Sequence, residues 1–542
     1  MIVIEVLILV AAFTFLLFLT RKGVVSRSLL FGRQRAKLIA SLLLVASVVI
    51  FIAPKINLLN NYEYTKLTAD SWDHYLVVNS WSETDGFQTK TYPYYTKFPV
   101  TYSVQIMLHQ LSGLSLFDSM TVYYLFVGIG GLLIIYGIGR EIIKGSGTEK
   151  MIYAGIAGLV YSFLHYFNLL FVQQYPIAIG TVVGLLCVYS FILLVKRRKR
   201  ALIYMFVAGV VLAISHPFAP IFLSLLFLTY YITNRVVPFR SNLYKGLISR
   251  RTALLMSFTI LIAGMTYSMF VATGTFESGV RWSELNTQYT LQKLSSQFLE
   301  STLSGVEESF EARYGIIDSM IYPLNWALPA SASISVLIFF LIRKLKVEED
   351  EELHILFPLS IMSTLLFLLS FAFSFVEFAF SRYFGAFALA LNIPVTAFLI
   401  FRIVKTRIAF AKYIVYGIVG FAIISSVTDP TFFPYIGYET SVYRDAKIYP
   451  SELDIVAWND FYSSVSSQQK IIETDLHGAP IKYFKETHDY NNEIVVNPNT
   501  YTLTSDNAYV VIDKDKTDLT PQLQDNPLLD RVYDNSKIYF GH

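Results

Sequence analysis

The chain has 542 residues, of which 54% are hydrophobic and only 15% charged, whereas soluble domains carry about 25% charged residues. That composition, with a mean hydropathy of +0.49, excludes an ordinary soluble enzyme and describes a polytopic membrane protein. A net charge of +3 is too small to imply a nucleic-acid partner, and the single cysteine, Cys187, excludes a disulfide framework or a thiolate metal cluster.

In chain order, residues 1–20 are apolar apart from Glu5 and long enough to cross a bilayer, which takes about 20 helical residues. No basic stretch precedes this run and no small-x-small site stands before Arg21, so it reads as a span and not as a signal peptide. Further apolar segments follow at residues 38–52, 120–138, 151–170, 176–195, 201–215, 218–232, 253–272, 328–342, 355–375, 383–401 and 414–427. The expectation is a polytopic α-helical protein of about 12 transmembrane helices.

The loops after spans one, three, five, seven, nine and eleven hold 26 of the 43 Lys and Arg residues, among them the run KRRKR at 196–200. Basic loops stay in the cytoplasm. The stretch 69–102, the loop 273–325, the turn 377–382 and everything after Asp429 are therefore expected to face outward. The outer loops, about 55–119 and 273–325, mix aromatics with polar residues and read as short helices along the membrane interface. The acidic run 348–352 falls in a cytoplasmic loop and reads as a solvated face.

The first outer stretch is the most informative, because it gathers Asp70, Asp73, His74, Glu83 and Asp85 into sixteen positions of a chain otherwise poor in charge. If residues 70–82 are helical, Asp70, Asp73 and His74 share one face, since side chains three and four apart are helix neighbours. Such a face could work as an acid/base site.

After Asp429 the hydropathy collapses. Residues 1–428 are expected to form the membrane core and 429–542 a small extracytoplasmic α/β domain. Ser451 and Asp454 are spaced as a capping box before a helical pattern, and β-rich runs follow at KIIETD (470–475), AYVVID (508–513) and SKIYF (536–540).

An acidic pair just after an early span, DSWDHY (70–75), then a Tyr/Pro-rich stretch, TYPYYTKFPVTY (91–102), a polytopic core and a chain end reading VYDNSKIYF (532–540) resemble the C-type (GT-C) membrane glycosyltransferases, archaeal members above all. The chain departs from their pattern in one extra span before the acidic loop, and in an acidic pair that is two residues apart instead of adjacent. The resemblance implies inverting transfer of a sugar from a polyprenyl-phosphate or pyrophosphate donor to a glycan, lipid or protein acceptor of the cell envelope.

On that chemistry a carboxylate must deprotonate the acceptor hydroxyl and cationic groups must stabilise the departing phosphate. Asp70 is the candidate general base. Asp73 is the second candidate, or positions the acceptor or a divalent cation such as Mg or Mn. His74 is a candidate ligand of the donor phosphate or a member of a metal site with the two aspartates. Arg382, at the outward junction of two spans, matches phosphate geometry and is the preferred phosphate ligand, with Glu377 as its partner. Tyr92, Tyr94 and Lys97 are candidate substrate contacts, the tyrosines as surfaces on which a sugar stacks. Two other classes compete: a lipid-linked saccharide transporter or flippase, disfavoured by spans almost free of charge, and a noncatalytic envelope scaffold.

Overall fold

The computed structural model describes residues 33–61, 69–83, 98–164, 176–196, 200–236, 249–272, 328–339, 351–374 and 378–405, five strands between 470 and 541, and isolated residues such as Phe171 and Gln174. The loop 273–325 and the sites Tyr92, Tyr94, Lys97 and Glu377 lie outside the described residues, and of the expected span at 1–20 only isolated residues such as Val10 and Phe13 are described. Of the expected span at 414–427, only isolated residues are described.

The helices are α1 (Arg33–Asn61), α2 (Ala69–Glu83), α3 (Val100–Ser112), α4 (Leu116–Ile142), α5 (Gly147–Phe163), α6 (Pro176–Val195), α7 (Ala201–Ala213), α8 (Ala219–Val236), α9 (Arg250–Phe270), α10 (Leu328–Phe339), α11 (Glu351–Ser374) and α12 (Phe378–Val404). Their starts are written in the sequence. Ser115 caps α4 by accepting from the Asp118 amide at 3.1 Å, and Ser249 does the same for α9 from Thr252. At α5 a full capping box forms: Glu149 N–H donates to Ser146 Oγ while the Ser146 amide donates to the Glu149 carboxylate. Gly113 ends α3 in the left-handed region at φ 69°, where its amide donates to the His109 carbonyl.

Three helices among the described residues, Leu116–Ile142, Pro176–Val195 and the Tyr383–Val404 part of α12, are long and apolar enough to cross a membrane. Six shorter apolar helices accompany them. α6 and α12 are almost wholly buried and form the centre of the bundle, α5 packs on α12, and α1 on α5. The Tyr153 hydroxyl donates to the Pro394 carbonyl at 2.6 Å and fixes α5 to α12. The rim is apolar: Phe126, Leu133, Phe206, Leu255 and Ile262 are each more than half exposed. In water such a rim would be a large aggregation surface. The chain is a membrane protein, and this rim faces lipid.

Polar groups gather at the two ends of the bundle. One end carries a belt of ion pairs. Arg402 meets Glu352 at 3.1 Å, and the other Glu352 oxygen accepts the Lys144 amide at 3.1 Å. Lys405 meets Glu149 at 2.5 Å, and Lys196 meets Glu141 at 3.3 Å. This basic end ties α4, α5, α6, α11 and α12 together. Glu352 belongs to the acidic run that reads as solvated from sequence, yet it is mostly buried and paired, because the chain turning into α11 brings it against Arg402.

Near the C-terminus, β1 (Lys470–Glu473), β2 (Ile494–Val495), β3 (Ala508–Asp513), β4 (Arg531–Asp534) and β5 (Ile538–Gly541) form one mixed sheet in the order β2-β1-β3-β5-β4. β1 runs parallel to β2 and β3, and β5 antiparallel to β3 and β4. The three β-rich runs of the sequence each supply a strand.

Burial alone would raise the Glu149 carboxyl, but hydrogen bonds from Lys405 and Ser146 outweigh it and hold the group below its ordinary value. A carboxyl depressed in the folded state contributes stability above its unfolded pKa and loses that contribution as pH falls through the folded one. Lys405→Met is therefore expected to lower the unfolding temperature in lipid nanodiscs by about 2 °C at neutral pH, with the gap to wild type closing in acid. An equal gap at all pH values would show that the pair contributes nothing through Glu149.

Candidate active site

At the other end of the bundle the short helix α2 carries Asp70, Asp73 and His74 in its first two turns, as the i, i+3, i+4 spacing requires for one face. The side chains of Asp70 and Asp73 lie outside the described residues. From His74 onward the buried face is explicit: His74, Tyr75, Val77, Val78 and Trp81 are all buried. Position 70 extends this stripe by one turn.

Two anchors hold α2 in place. The Tyr75 ring stacks on Phe117 with centroids 4.0 Å apart, fixing α2 to the first turn of α4. His74 Nδ1 lies 2.9 Å from the Tyr102 hydroxyl on α3, and the edge of Trp81 meets the same tyrosine at 5.3 Å. Tyr102 is 1% exposed and His74 4%. Around them α3 and α4 bury further polar side chains: Thr101 Oγ1 and Ser119 Oγ have no hydrogen-bond partner among the described residues, and Gln105 lies beside the Tyr124 hydroxyl. A membrane interior penalises such atoms, which calls for water or ligand among them.

The same end gathers other groups. Gln174 is buried, has a left-handed φ of 55° that is unusual for a side-chain-bearing residue, and donates from Nε2 to Thr121 at 3.2 Å. Lys55, near the end of α1, is buried, donates to the Phe51 carbonyl at 2.7 Å and lies over the Phe51 ring. His216, between α7 and α8, is fully buried and accepts the Phe218 amide at 3.2 Å on Nδ1. The Tyr383 ring meets His216 edge to face at 4.8 Å. Arg382 precedes Tyr383 in the first turns of α12, which sets its backbone at this end; its side chain is outside the described residues.

A groove of about 590 Å³ runs between α7, α8 and α9. It exists because α7 packs on α6 and α9 packs on α8, leaving the outer faces of α7 and α9 apart. Small residues deepen it: Gly209 and Ala213 on α7, Ala263 and Gly264 on α9. A Cβ on Gly264 would run into Pro220, whereas one on Gly209 would find its nearest neighbour, Leu223, at 3.7 Å. The rim residues Leu202, Phe206 and Val210 are exposed, so the groove opens to lipid. One end is formed by Pro217, Tyr267 and Phe98, the last two in edge contact at 6.0 Å. Phe98 stands four residues before Tyr102. The groove and the acidic helix thus meet through one turn of chain.

Among the side chains described, no three carboxylate, histidine or thiol groups gather as a metal site. The two aspartates are outside that set, and a divalent cation enters no step below. Sequence reasoning missed Tyr102, Gln105, Gln174 and Lys55. Only Lys55 carried a signal, as a lysine at the end of an apolar helix.

No family model matches the chain, and no curated protein matches it in sequence. Among solved structures it is similar to the oligosaccharyltransferase of Archaeoglobus fulgidus in the apo form, with a TM-score of 0.50 and 13% identity over 88% of this chain and 69% of that one. The archaeal oligosaccharyltransferase AglB from Archaeoglobus fulgidus, in complex with an inhibitory peptide and a dolichol-phosphate, gives 0.51 and 13% identity over the same shares. ArnT from Cupriavidus metallidurans bound to undecaprenyl phosphate reaches 0.40 at 9% identity, over 92% and 97%. The chain has the fold of the C-type membrane glycosyltransferases.

Trp81 is the largest side chain fixing α2 to α3 and is 6% exposed. Trp81→Ala is expected to cost about 3 kcal/mol and to raise hydrogen exchange in α2 before the rest of the bundle. Unchanged α2 protection by mass spectrometry would mean that other contacts hold this helix.

Proposed function

We propose that the chain is a membrane glycosyltransferase that moves a sugar from a polyprenyl-phosphate or pyrophosphate donor to an acceptor of the cell envelope, at the outer membrane face. The observation that carries this reading is the connection just described. A lipid-open apolar groove ends at Phe98, and Tyr102, four residues on, holds the helix that bears Asp70, Asp73 and His74. A donor with a long hydrocarbon tail and a phosphorylated sugar needs such an arrangement: an apolar channel for the tail and a polar end for the reacting bonds. The fold supports the same reading, and the solved relative with a bound dolichol-phosphate is consistent with it.

In this reading the tail lies along Gly209, Ala213, Ala263 and Gly264, and the phosphate stands near the Phe98 end. Asp70 accepts the proton of the acceptor hydroxyl as that oxygen attacks the anomeric carbon. The bond from that carbon to the phosphate oxygen breaks on the opposite side, so configuration inverts, and the electron pair leaves with the polyprenyl phosphate. Arg382 and His74 stabilise the charge on that leaving group, a role suited to donors fixed before the reaction begins. Asp73 orients the acceptor, and Glu377 pairs with Arg382. Tyr92, Tyr94 and Lys97 complete the sugar site from the loop between α2 and α3. The basic end of the bundle is cytoplasmic by the positive-inside rule, the C-terminal sheet belongs to an extracytoplasmic α/β domain, and the helices belong to a core of about twelve spans.

Purified protein in lipid, given a panel of radiolabelled polyprenyl-phosphate sugars and envelope extract, should move label into the extract. Asp70→Asn should reduce that transfer by at least about 100-fold with donor binding retained; full activity in the variant would remove the assignment. Gly209→Phe fills the groove where a side chain fits. It is expected to raise the donor KM about tenfold or more with the unfolding temperature unchanged. An unaltered KM would place the lipid tail elsewhere.

A further inference from the structure

α6 packs on both α4 and α7, and from Pro176 to Leu194 every residue of it is buried except Val183, Leu186 and Tyr189. Lipid therefore reaches this helix along one strip, which runs toward the basic end. α4 is open beside it. Phe126, Gly130, Leu133, Gly137 and Arg140 recur at spacings of four and three and share one face. Phe126, Leu133 and Arg140 are exposed, and a Cβ on Gly130 would meet nothing within 4 Å. Gly137 differs, because the Tyr189 ring lies 3.5 Å from where its Cβ would stand. The tyrosine thus crosses the seam between α6 and α4 instead of pointing straight into lipid.

At this seam the Tyr189 hydroxyl stands in the field of Arg140 and Glu141 at the end of α4 and of Arg198 beyond α6, with the Tyr204 phenol of α7 close by. Lys196 neutralises Glu141 at 3.3 Å. Arg140 and Arg198 are exposed and stand outside the ion pairs of this end. Two guanidinium groups and two phenols are left above an apolar strip. A guanidinium forks onto phosphate oxygens and keeps its charge at a membrane surface, and a phenol donates to a further oxygen.

We propose that this seam binds an anionic phospholipid of the leaflet at the basic end, with its phosphate held by Arg140 and Arg198, Tyr189 and Tyr204 as further donors, and an acyl chain laid along the strip past Gly130. Gly130 is ten residues from Arg140, about 15 Å along the helix and within the length of an acyl chain. The site is separate from the one proposed for the sugar donor. Phe117, on which α2 stacks, is twenty-three residues from Arg140, about 35 Å of helix, so the two phosphates belong to opposite faces of the bilayer. The lipid site therefore stands whether or not the chain transfers a sugar.

The test uses the full chain in nanodiscs of phosphatidylcholine doped with phosphatidylglycerol, and reads the lipid retained by native mass spectrometry. Wild type should retain phosphatidylglycerol in preference to phosphatidylcholine. Arg140→Gln combined with Arg198→Gln should weaken that retention about 30-fold with the unfolding temperature unchanged, each cation near the surface contributing a factor of about five. Gly130→Leu leaves every charge in place and fills the open space on α4. It should weaken retention about fourfold or more, the worth of one buried methylene. Arg235→Gln combined with Arg251→Gln, which removes two exposed cations at the same end on α8 and α9, should leave retention as in wild type. Equal losses in the two arginine pairs would show a diffuse basic belt and overturn the proposal. Equal retention of the two lipids by wild type, unaltered retention in Gly130→Leu, or displacement of the lipid by inorganic phosphate, which would mark a site for a free anion, would overturn it as well.

Discussion

The contact between His74 and Tyr102 joins a helix of mixed polarity to an otherwise apolar bundle. α2 has no apolar stripe long enough to cross a membrane, and its first turn is acidic, so it does not insert among the spans. It stays at one end of the bundle because Tyr75, Val77, Val78 and Trp81 give it a buried face and His74 finds a polar partner there. A buried polar group left unpaired costs about 1–3 kcal/mol, and the Tyr102 hydroxyl helps to offset that cost for the imidazole. That hydrogen bond, with the ring contacts of Tyr75 on Phe117 and Trp81 on Tyr102, sets where α2 sits against α3 and α4.

The two ends of the bundle solve the same problem in different ways. At the basic end, long side chains reach one another across helix termini, and each carboxylate also accepts from a backbone amide or sits beside a second cation, as Glu352 and Glu149 do. Those contacts fix helices and leave little capacity for a ligand. At the α2 end the described partners are hydroxyls, amides, imidazoles and ring faces, and Thr101 Oγ1 and Ser119 Oγ make no hydrogen bond among the described residues. A bilayer offers such atoms no water, so the polar side chains between Thr101 and Tyr124 stay buried at a cost that the basic end does not carry.

How much of this was legible in the sequence follows from the range of each interaction. Hydropathy over twenty residues locates α4, α6 and α12, because lipid exposure or core burial acts on every residue of a span. The spacing of Asp70, Asp73 and His74 is local, and α2 forms over Ala69–Glu83 as that spacing required. Tyr102 is 28 positions from His74 and is one of four tyrosines in TYPYYTKFPVTY, so nothing local distinguishes it from an interface aromatic. Glu352 read as solvated for the same reason: its partner, Arg402, is fifty residues away. The groove has no sequence signal at all. It is made by α7 and α9 packing on different neighbours, and its small residues are unremarkable until those helices are set side by side.

The length of α7 connects the groove to the site. Thirteen residues rise about 20 Å, short of the roughly 30 Å of a hydrocarbon core, so the chain leaves the helix at Ile214 before it has crossed. Irregular backbone at that depth is tolerated only where its polar groups are satisfied and where it is buried in protein or lines a cavity. The turn meets both conditions. The amides of Ile214, Ser215 and His216 donate back to α7, the Ala219 amide to the His216 carbonyl, and the Phe218 amide to the His216 ring. Pro217 has no amide to satisfy and is the residue presented to the groove. A histidine that looks from sequence like an incidental polar residue at a span end is thus the cap that lets α7 stop early. The early stop lets His216 meet Tyr383 of α12 edge to face at 4.8 Å, while Pro217 stands at the end of the groove that Phe98 and Tyr267 also line.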